Sequence, residues 1–365
     1  MKVHIVSETP FLIKGNGVHT AFIDHIDLLK KQDEIQTVVN NEGKGDVFHC
    51  HTNGLYYFIK GIGYKQRRIY TAHVIPDTMK GSFPESMRKT LMPAINWYMK
   101  KTYSYADICI AISPRVEEAI IECGAKTKIV RIYNPIPLEK WQRTDEKRAL
   151  GRKILGLKED DFVVLGVGQL QARKGVEDFI DVAAAIPEAK FVWAGGRPFK
   201  KITEGVSRIN ERIENASPNI QFTGMLELDQ MPYVYAAADI MLFPSYQENC
   251  PLAPIEGAAS GMPVVFRDIP EYKTLYEKPY LKATTTEDFI SITRKFIYDD
   301  DFLKTGNSMS KELVRQFDEN EIRKKLIALY QQVVLFNRKD NTRMKFEHFL
   351  KSIIYKKHQA EIMPY

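Results

Sequence analysis

At 365 residues the chain is too long for one ordinary domain and fits two of about 150–200 residues. It is 44% hydrophobic and 27% charged, which excludes disordered and fibrous chains, and its four scattered cysteines form no C-x-x-C pair, which excludes a disulfide scaffold and a zinc ribbon. The net charge of +6 is modest, but it is unevenly spread.

The opening KVHIVS is a short β-branched run, followed by Gly15-Asn16-Gly17 and a stretch of helical spacing from His19 to Leu29. IQTVV, DVFHCH and RIYTAHV are further expected strands, and Ala94–Tyr103 an expected helix. ADICIAIS is an apolar strand, and Ser113-Pro114 starts the helix PRVEEAIIEC. KIVRIYNP closes this half. The pattern then restarts with FVVLGVGQL, the helix GVEDFIDVAAAI, and the strands KFVWAGG, IQFTG and ADIMLFPS. A helix APIEGAASG and a strand PVVF follow. Such alternation predicts parallel, doubly wound sheets: an α/β chain of two Rossmann-like domains facing across a cleft. Pro135, Pro137 and mixed charge in 134–147 place the boundary there, giving domains of 1–142 and 143–337 and a tail of 338–365. MKVHIVSE lacks the apolar core of a signal peptide, and no apolar run approaches the roughly 18 residues of a membrane span. With unpaired cysteines, this predicts a cytoplasmic protein.

Four stretches carry chemistry. Gly15 and Gly17, between a strand and a helix, would let the backbone approach a phosphate or sugar, although a tight turn serves equally and Thr20 interrupts a G-x-G-x-x-G. In GQLQARKG, Arg173 and Lys174 bring two cations to the end of a strand, which suits a diphosphate; a solvated pair at a helix start is the alternative. In PSYQENCPLAPIEGAASG, Glu248 and Glu256 stand eight apart, so two carboxylates can grip different hydroxyls of one extended ligand. His73 follows a strand in YTAHVIPD, where a buried or surface histidine is the alternative. His49 and His51 share one strand face, but two ligands are too few for a metal, and Asp299–Asp301 reads as a solvated loop. No metal is expected.

The restart at Phe162, the RKG at 173–175, the AGG at 194–196 and the Glu-x7-Glu resemble the GT-B retaining glycosyltransferases of sequence family four. The resemblance covers residues 1–337. It implies that Glu256 binds the ribose of a nucleotide sugar, that Glu248 meets the transferred sugar, that Arg173 and Lys174 neutralise the diphosphate, and that His73 faces the sugar. It further implies that backbone amides across Asn249, Cys250, Pro251 and Leu252 hold phosphate or sugar, without a cofactor, and that configuration is retained. ENCPLAPIEGAASG, FRDIPEY and KGNGVHTAF are most similar to bacterial glucosyl-diacylglycerol hexosyltransferases, which implies a UDP-hexose donor (UDP-glucose or UDP-galactose), a glycolipid acceptor such as monoglucosyl-diacylglycerol and an α-linked product.

Charge placement points the same way. Lys60 to Lys101 holds nine basic residues against two acids, and Arg338 to Tyr365 holds seven against three. Leu91, Ile95, Trp97, Tyr98 and Met99 lie among Arg88, Lys89, Lys100 and Lys101, while Phe346, Phe349, Leu350, Ile353 and Ile354 repeat at helical spacing in the tail. No helix-turn-helix, zinc-finger or RNP signature accompanies them, so no nucleic acid partner is expected. An anionic membrane surface is, which would make the protein peripheral on the inner face of the cell membrane. The alternatives are a plain solvated face and a tail that packs on protein. For function, they are a capsule or exopolysaccharide transferase acting on a polyprenyl-linked or soluble glycan, and a non-catalytic sugar-nucleotide-binding protein.

Overall fold

The computed structural model describes residues 1–12, 17–80, 85–196 and 206–336. Gly15, the 338–365 tail and the side chains of Met87, Arg88 and Lys89 lie outside it.

The first sheet is built from β1 (Lys2–Val6), β2 (Gln36–Val39), β3 (Val47–Cys50), β4 (Arg68–Ala72), β5 (Ile108–Ala111) and β6 (Lys128–Arg131), in the order β2-β1-β3-β4-β5-β6. The second holds β7 (Val163–Val167), β8 (Lys190–Ala194), β9 (Ile220–Gly224), β10 (Ile240–Phe243), β11 (Val264–Arg267) and β12 (Leu281–Ala283), in the order β12-β11-β10-β7-β8-β9. Every pairing is parallel, as the near-continuous apolar runs of β3, β5, β10 and β11 predict for strands covered on both faces. These are the two doubly wound sheets expected of a GT-B chain, and residues from both line the cleft between them.

Each sheet reverses its strand order once, between β1 and β3 in the first and between β7 and β10 in the second. The loops leaving those strands diverge there and open a crevice, which is where such sheets bind ligands. Local signals set the elements between. Ser113 caps its helix by accepting from Val116 N, with Pro114 at the first helical position. The helix Asp145–Leu155 starts at a Thr144 cap and stops at Gly156 in the left-handed conformation. Asp299 is a cap as well: its carboxylate accepts from Phe302 N at 2.9 Å and starts the helix Asp300–Val314, so this acidic run is neither a loop nor a ligand set.

The last described helix, Glu319–Phe336, belongs by chain order to the second half. It nevertheless packs on the first sheet, burying Ile322, Leu326, Leu329, Tyr330 and Val333 against Val3, Ile5, Phe22 and Ile69. Among the described residues, no helix is long and apolar enough to cross a membrane.

Candidate active site

The loops that leave β7 and β10 are fastened to each other. After β7, Gly168 donates to the Ala194 carbonyl at 3.0 Å, and its own carbonyl accepts from Trp193 Nε1 at 2.9 Å. Gly195 (φ +140°) lies so close that a Cβ there would strike the Gly168 carbonyl. Gly175 (φ +71°) faces Pro244 of the other loop in the same manner, so side chains larger than hydrogen are barred by both space and backbone conformation. The Arg173 carbonyl then accepts from Tyr246 N at 2.8 Å and lies 3.1 Å from Ser245 Oγ.

This stitching decides where the charged side chains sit. Lys174 Nζ pairs with Glu248 Oε1, which also accepts from Ser245 Oγ at 2.6 Å. Arg173 Nη1 reaches the Gln247 carbonyl at 3.4 Å. Burial pushes the Lys174 ammonium below the usual lysine range, against the pull of Glu248. Beneath the loop lies Arg267, at the end of β11. It donates to the Pro244 carbonyl at 2.8 Å, stacks 3.9 Å from the centre of the Tyr246 ring, and pairs with Asp178 at 3.1 Å. Tyr246 OH donates to the same Asp178 at 2.9 Å. Sequence reasoning assigned nothing to Arg267 or Ser245; the signal available was a cation ending the otherwise apolar strand VVFR.

Glu256 lies in the first turn of the helix Ala253–Ala259 and lines the same cleft, whose volume is about 380 Å³. Its Oε2 accepts from Tyr235 OH at 2.8 Å. Burial raises its pKa to about 7, the Tyr235 bond opposing the shift. Asn249, Cys250, Pro251 and Leu252 also line the cleft. Pro251 has no N–H, so amide donation falls to the other three. Burial pushes the Cys250 thiol up to about 12, which removes it as a nucleophile.

Across the cleft, Gly17 and His73 come from the first half. Asn249 Nδ2 donates to the His73 carbonyl at 3.4 Å and bridges the halves. His73 Nε2 lies 3.1 Å from His51 Nδ1, and burial lowers the His73 pKa to about 4, so the ring is neutral. Asp77 is turned to Arg115, at 2.5 Å. Thus Gly17, His73, Arg173, Lys174, Glu248, Asn249, Cys250, Pro251, Leu252 and Glu256 all line one cleft.

His25, His49 and His51 bring ligand nitrogens within 4.8 Å of one another, but as a hydrogen-bonded seam. His49 Nδ1 and His25 Nε2 lie 2.6 and 2.7 Å from Tyr330 OH, and His49 Nε2 lies 2.6 Å from Thr71 Oγ1. Both nitrogens of His49 are therefore engaged by hydroxyls.

Residues 16–140 match the family model "Glycosyltransferase Family 4" and residues 147–281 the model "Glycosyl transferases group 1". The chain is 28% identical over 333 residues to an alpha-galactosylglucosyldiacylglycerol synthase of Streptococcus pneumoniae, covering 90% of this chain and 88% of that one. It is 28% identical over 345 residues to a processive diacylglycerol alpha-glucosyltransferase of Acholeplasma laidlawii, covering 93% and 100%. In structure it resembles HepE of Anabaena, solved with UDP-glucose (TM-score 0.70, 17% identity, 91% and 100% covered). A sucrose-phosphate synthase of Thermosynechococcus elongatus superposes with a TM-score of 0.73 at 18% identity, 93% and 100% covered. Two family models that between them take in both halves, on two sheets of this topology, establish that the chain belongs to glycosyltransferase family four, as a retaining, nucleotide-sugar-dependent glycosyltransferase.

Proposed function

We propose that the protein transfers a hexose from UDP-glucose or UDP-galactose to a membrane glycolipid such as monoglucosyl-diacylglycerol. The observation that carries the acceptor is the near end-to-end match to two diacylglycerol glycosyltransferases. The donor assignment draws on HepE, solved in complex with UDP-glucose, and on the chemistry of the cleft.

In this reading Glu256 accepts the ribose hydroxyls, and Glu248 accepts hydroxyls of the hexose. Arg173 and Lys174 face the diphosphate, and the amides of Asn249, Cys250 and Leu252 meet phosphate or sugar oxygens. As the anomeric carbon–phosphate oxygen bond breaks, negative charge grows on the leaving phosphate, where two fixed cations in a desolvated cleft are most effective. The acceptor hydroxyl attacks from the face the leaving group vacates. Its proton passes to the departing phosphate oxygen, giving an α-glycoside and UDP. Glu248, released by Lys174 to the diphosphate and oriented by Ser245, positions the sugar and forms no bond to it; a trapped glycosyl–Glu248 adduct would overturn that assignment.

A surface on the first half supports the membrane acceptor. Leu55, Ile59 and Ile62 follow one another at i, i+4, i+7 and are 78%, 61% and 75% exposed, the reverse of what burial in a core would give. Trp97 is 62% exposed on the helix Glu85–Tyr105, which is tied to Leu55–Gly61 through Tyr105 OH to the Phe58 carbonyl (2.9 Å) and Tyr57 OH to the Thr102 carbonyl (3.2 Å). Lys65, Lys100 and Lys101 are exposed beside them. Each cation near an anionic leaflet contributes about 1 kcal/mol.

The test is transfer of labelled hexose from each UDP-sugar to monoglucosyl-diacylglycerol in anionic mixed micelles. A dihexosyl lipid is expected. UDP-sugar hydrolysis without a lipid product would move the acceptor to a polyprenyl-linked or soluble glycan, and no turnover at all would leave a sugar-nucleotide-binding protein. Lys100→Glu with Lys101→Glu should weaken binding to anionic vesicles and leave UDP affinity unchanged; equal vesicle binding would remove this surface from the reading.

A further inference from the structure

The histidine seam behind His73 takes no direct part in the site above, yet it decides what His73 can do there. Two ring nitrogens 3.1 Å apart, His73 Nε2 and His51 Nδ1, share one proton, so one donates and the other accepts. If His73 donates, a neutral His51 carries its own proton on Nε2. That nitrogen is buried and has no hydrogen-bond partner among the described residues. If His51 donates from Nδ1, its Nε2 is a bare lone pair. A buried N–H without an acceptor is the rarer and costlier of the two orphans, which favours the second arrangement. Neighbouring rings fix the plane of His51. It stacks on His49 at 4.8 Å, and meets His25 edge-on at 4.8 Å and Phe22 at 5.8 Å. His25 and His49 are themselves tied to Tyr330 OH on the helix that crosses back from the second half.

We propose that His51 is a positioning residue that fixes His73 as the Nδ1–H tautomer, so that the nitrogen not turned to His51, on a ring that lines the donor cleft, carries an N–H and not a lone pair. This rests on the placement of His73 beside the donor in the proposed function. Burial lowers the pKa of both rings, which keeps the pair neutral. A neutral His73 with its proton on Nδ1 donates to an oxygen of the bound donor. It has no lone pair for the acceptor's proton, which therefore goes to the leaving phosphate, as the front-face route requires.

Long-range proton–nitrogen correlation spectra of protein labelled at histidine, assigned with His73→Gln, read the tautomer directly. The wild-type protein is expected to carry the His73 proton on Nδ1. His51→Leu is expected to shift His73 toward the Nε2–H form that an unconstrained imidazole prefers. His51→Asn, whose amide can donate from near the Nδ1 position, should keep the wild-type pattern. Hexose transfer should fall about tenfold in His51→Leu, the worth of one misdirected hydrogen bond, and recover in His51→Asn. UDP carries no hexose, and its affinity should be the same in all three. A wild-type His73 protonated on Nε2, or an unchanged tautomer in His51→Leu, overturns the proposal. So does UDP binding that falls in step with transfer, which would make His51 a general support of the fold. Should His51→Leu not fold, the wild-type spectrum and His51→Asn decide. A wild-type protein with the expected tautomer but no hexose transfer would refute the proposed reaction and leave the tautomer assignment standing.

Discussion

Replacing Glu256 by glutamine should make the protein more stable and a poorer binder of UDP at once. The Glu256 carboxylate is 7% exposed, accepts from Tyr235 OH, and is raised by burial from 4.5 to about 7. A carboxyl whose pKa is higher folded than unfolded destabilises the fold when ionised. The penalty is absent below pH 4.5, grows between 4.5 and 7, and is complete above 7. A shift of this size corresponds to roughly 3 kcal/mol at pH 8. Glutamine keeps an oxygen for Tyr235 and carries no charge. The melting temperature of Glu256→Gln should therefore exceed that of the wild-type protein by a few degrees at pH 8, and the gap should close toward pH 4.5.

Affinity for UDP should move the other way. A carboxylate accepting ribose hydroxyls contributes more than a neutral amide, and losing it should cost about 10- to 100-fold in Kd above pH 7. Below pH 7 the wild-type protein protonates Glu256 and should lose that advantage, about tenfold per pH unit. UDP titrates its own phosphate in this range, and the variant supplies the baseline for that step. Thermal melts and calorimetric UDP titrations across pH 5–8 test both arms. A variant less stable at pH 8, or one that binds UDP as the wild-type protein does, would refute the reasoning.

Two further substitutions separate side chain from backbone in the stitched loops. Arg173→Ala should lower turnover about 10²- to 10³-fold with little change in melting temperature. The fold uses the Arg173 carbonyl, which accepts from Tyr246 N, and asks little of its guanidinium; an active variant would sink the diphosphate assignment. Gly175→Ala should do the opposite, costing at least ~1–2 kcal/mol of stability because φ is +71° and the Cβ meets Pro244. Its measurable signs are an earlier melt and a raised KM for the donor sugar.

How far the sequence could be read depended on whether the informative contact was local. Parallel strands buried on both faces leave near-continuous apolar runs, so β3, β5, β10 and β11 were legible, and so were the glycine-bearing loops where the sheets reverse order. The three-residue β12, Leu-Lys-Ala at the sheet edge with Lys282 exposed, leaves no such run and went unread. Helical spacing of Ile322, Leu326, Leu329, Tyr330 and Val333 marks one face for burial, but nothing in a spacing says which sheet that face will cover. The alternation of β3 placed His49 and His51 on one face. It gave no sign that Tyr330, 281 residues on from His49, would complete their hydrogen bonds. The eight-residue step between Glu248 and Glu256 was visible as a pair for one ligand, while the ion pair of Glu248 with Lys174 depends on two loops meeting in space.

That ion pair sets up a competition at the centre of the site. Before any donor binds, the Lys174 charge is already satisfied by Glu248, with Ser245 donating to the same carboxylate oxygen. A diphosphate that recruits Lys174 must draw it from Glu248, and the released carboxylate becomes available to the hexose that arrives with the phosphate. Glu248→Gln removes the competitor. Lys174 is buried, and a cation left there without a carboxylate is strongly unfavourable, so the unliganded variant should melt earlier than the wild-type protein. The same lack should make its cleft more receptive to a diphosphate. With one negative charge fewer beside the phosphates, UDP should bind tighter by on the order of 1 kcal/mol, several-fold in Kd. UDP should also raise the melting temperature of the variant more than that of the wild-type protein. Hexose transfer should nevertheless collapse, because the group that would hold the sugar is gone. Weaker or equal UDP binding by Glu248→Gln would mean that Lys174 does not meet the diphosphate, and that its pairing with Glu248 is a structural tie between the two loops.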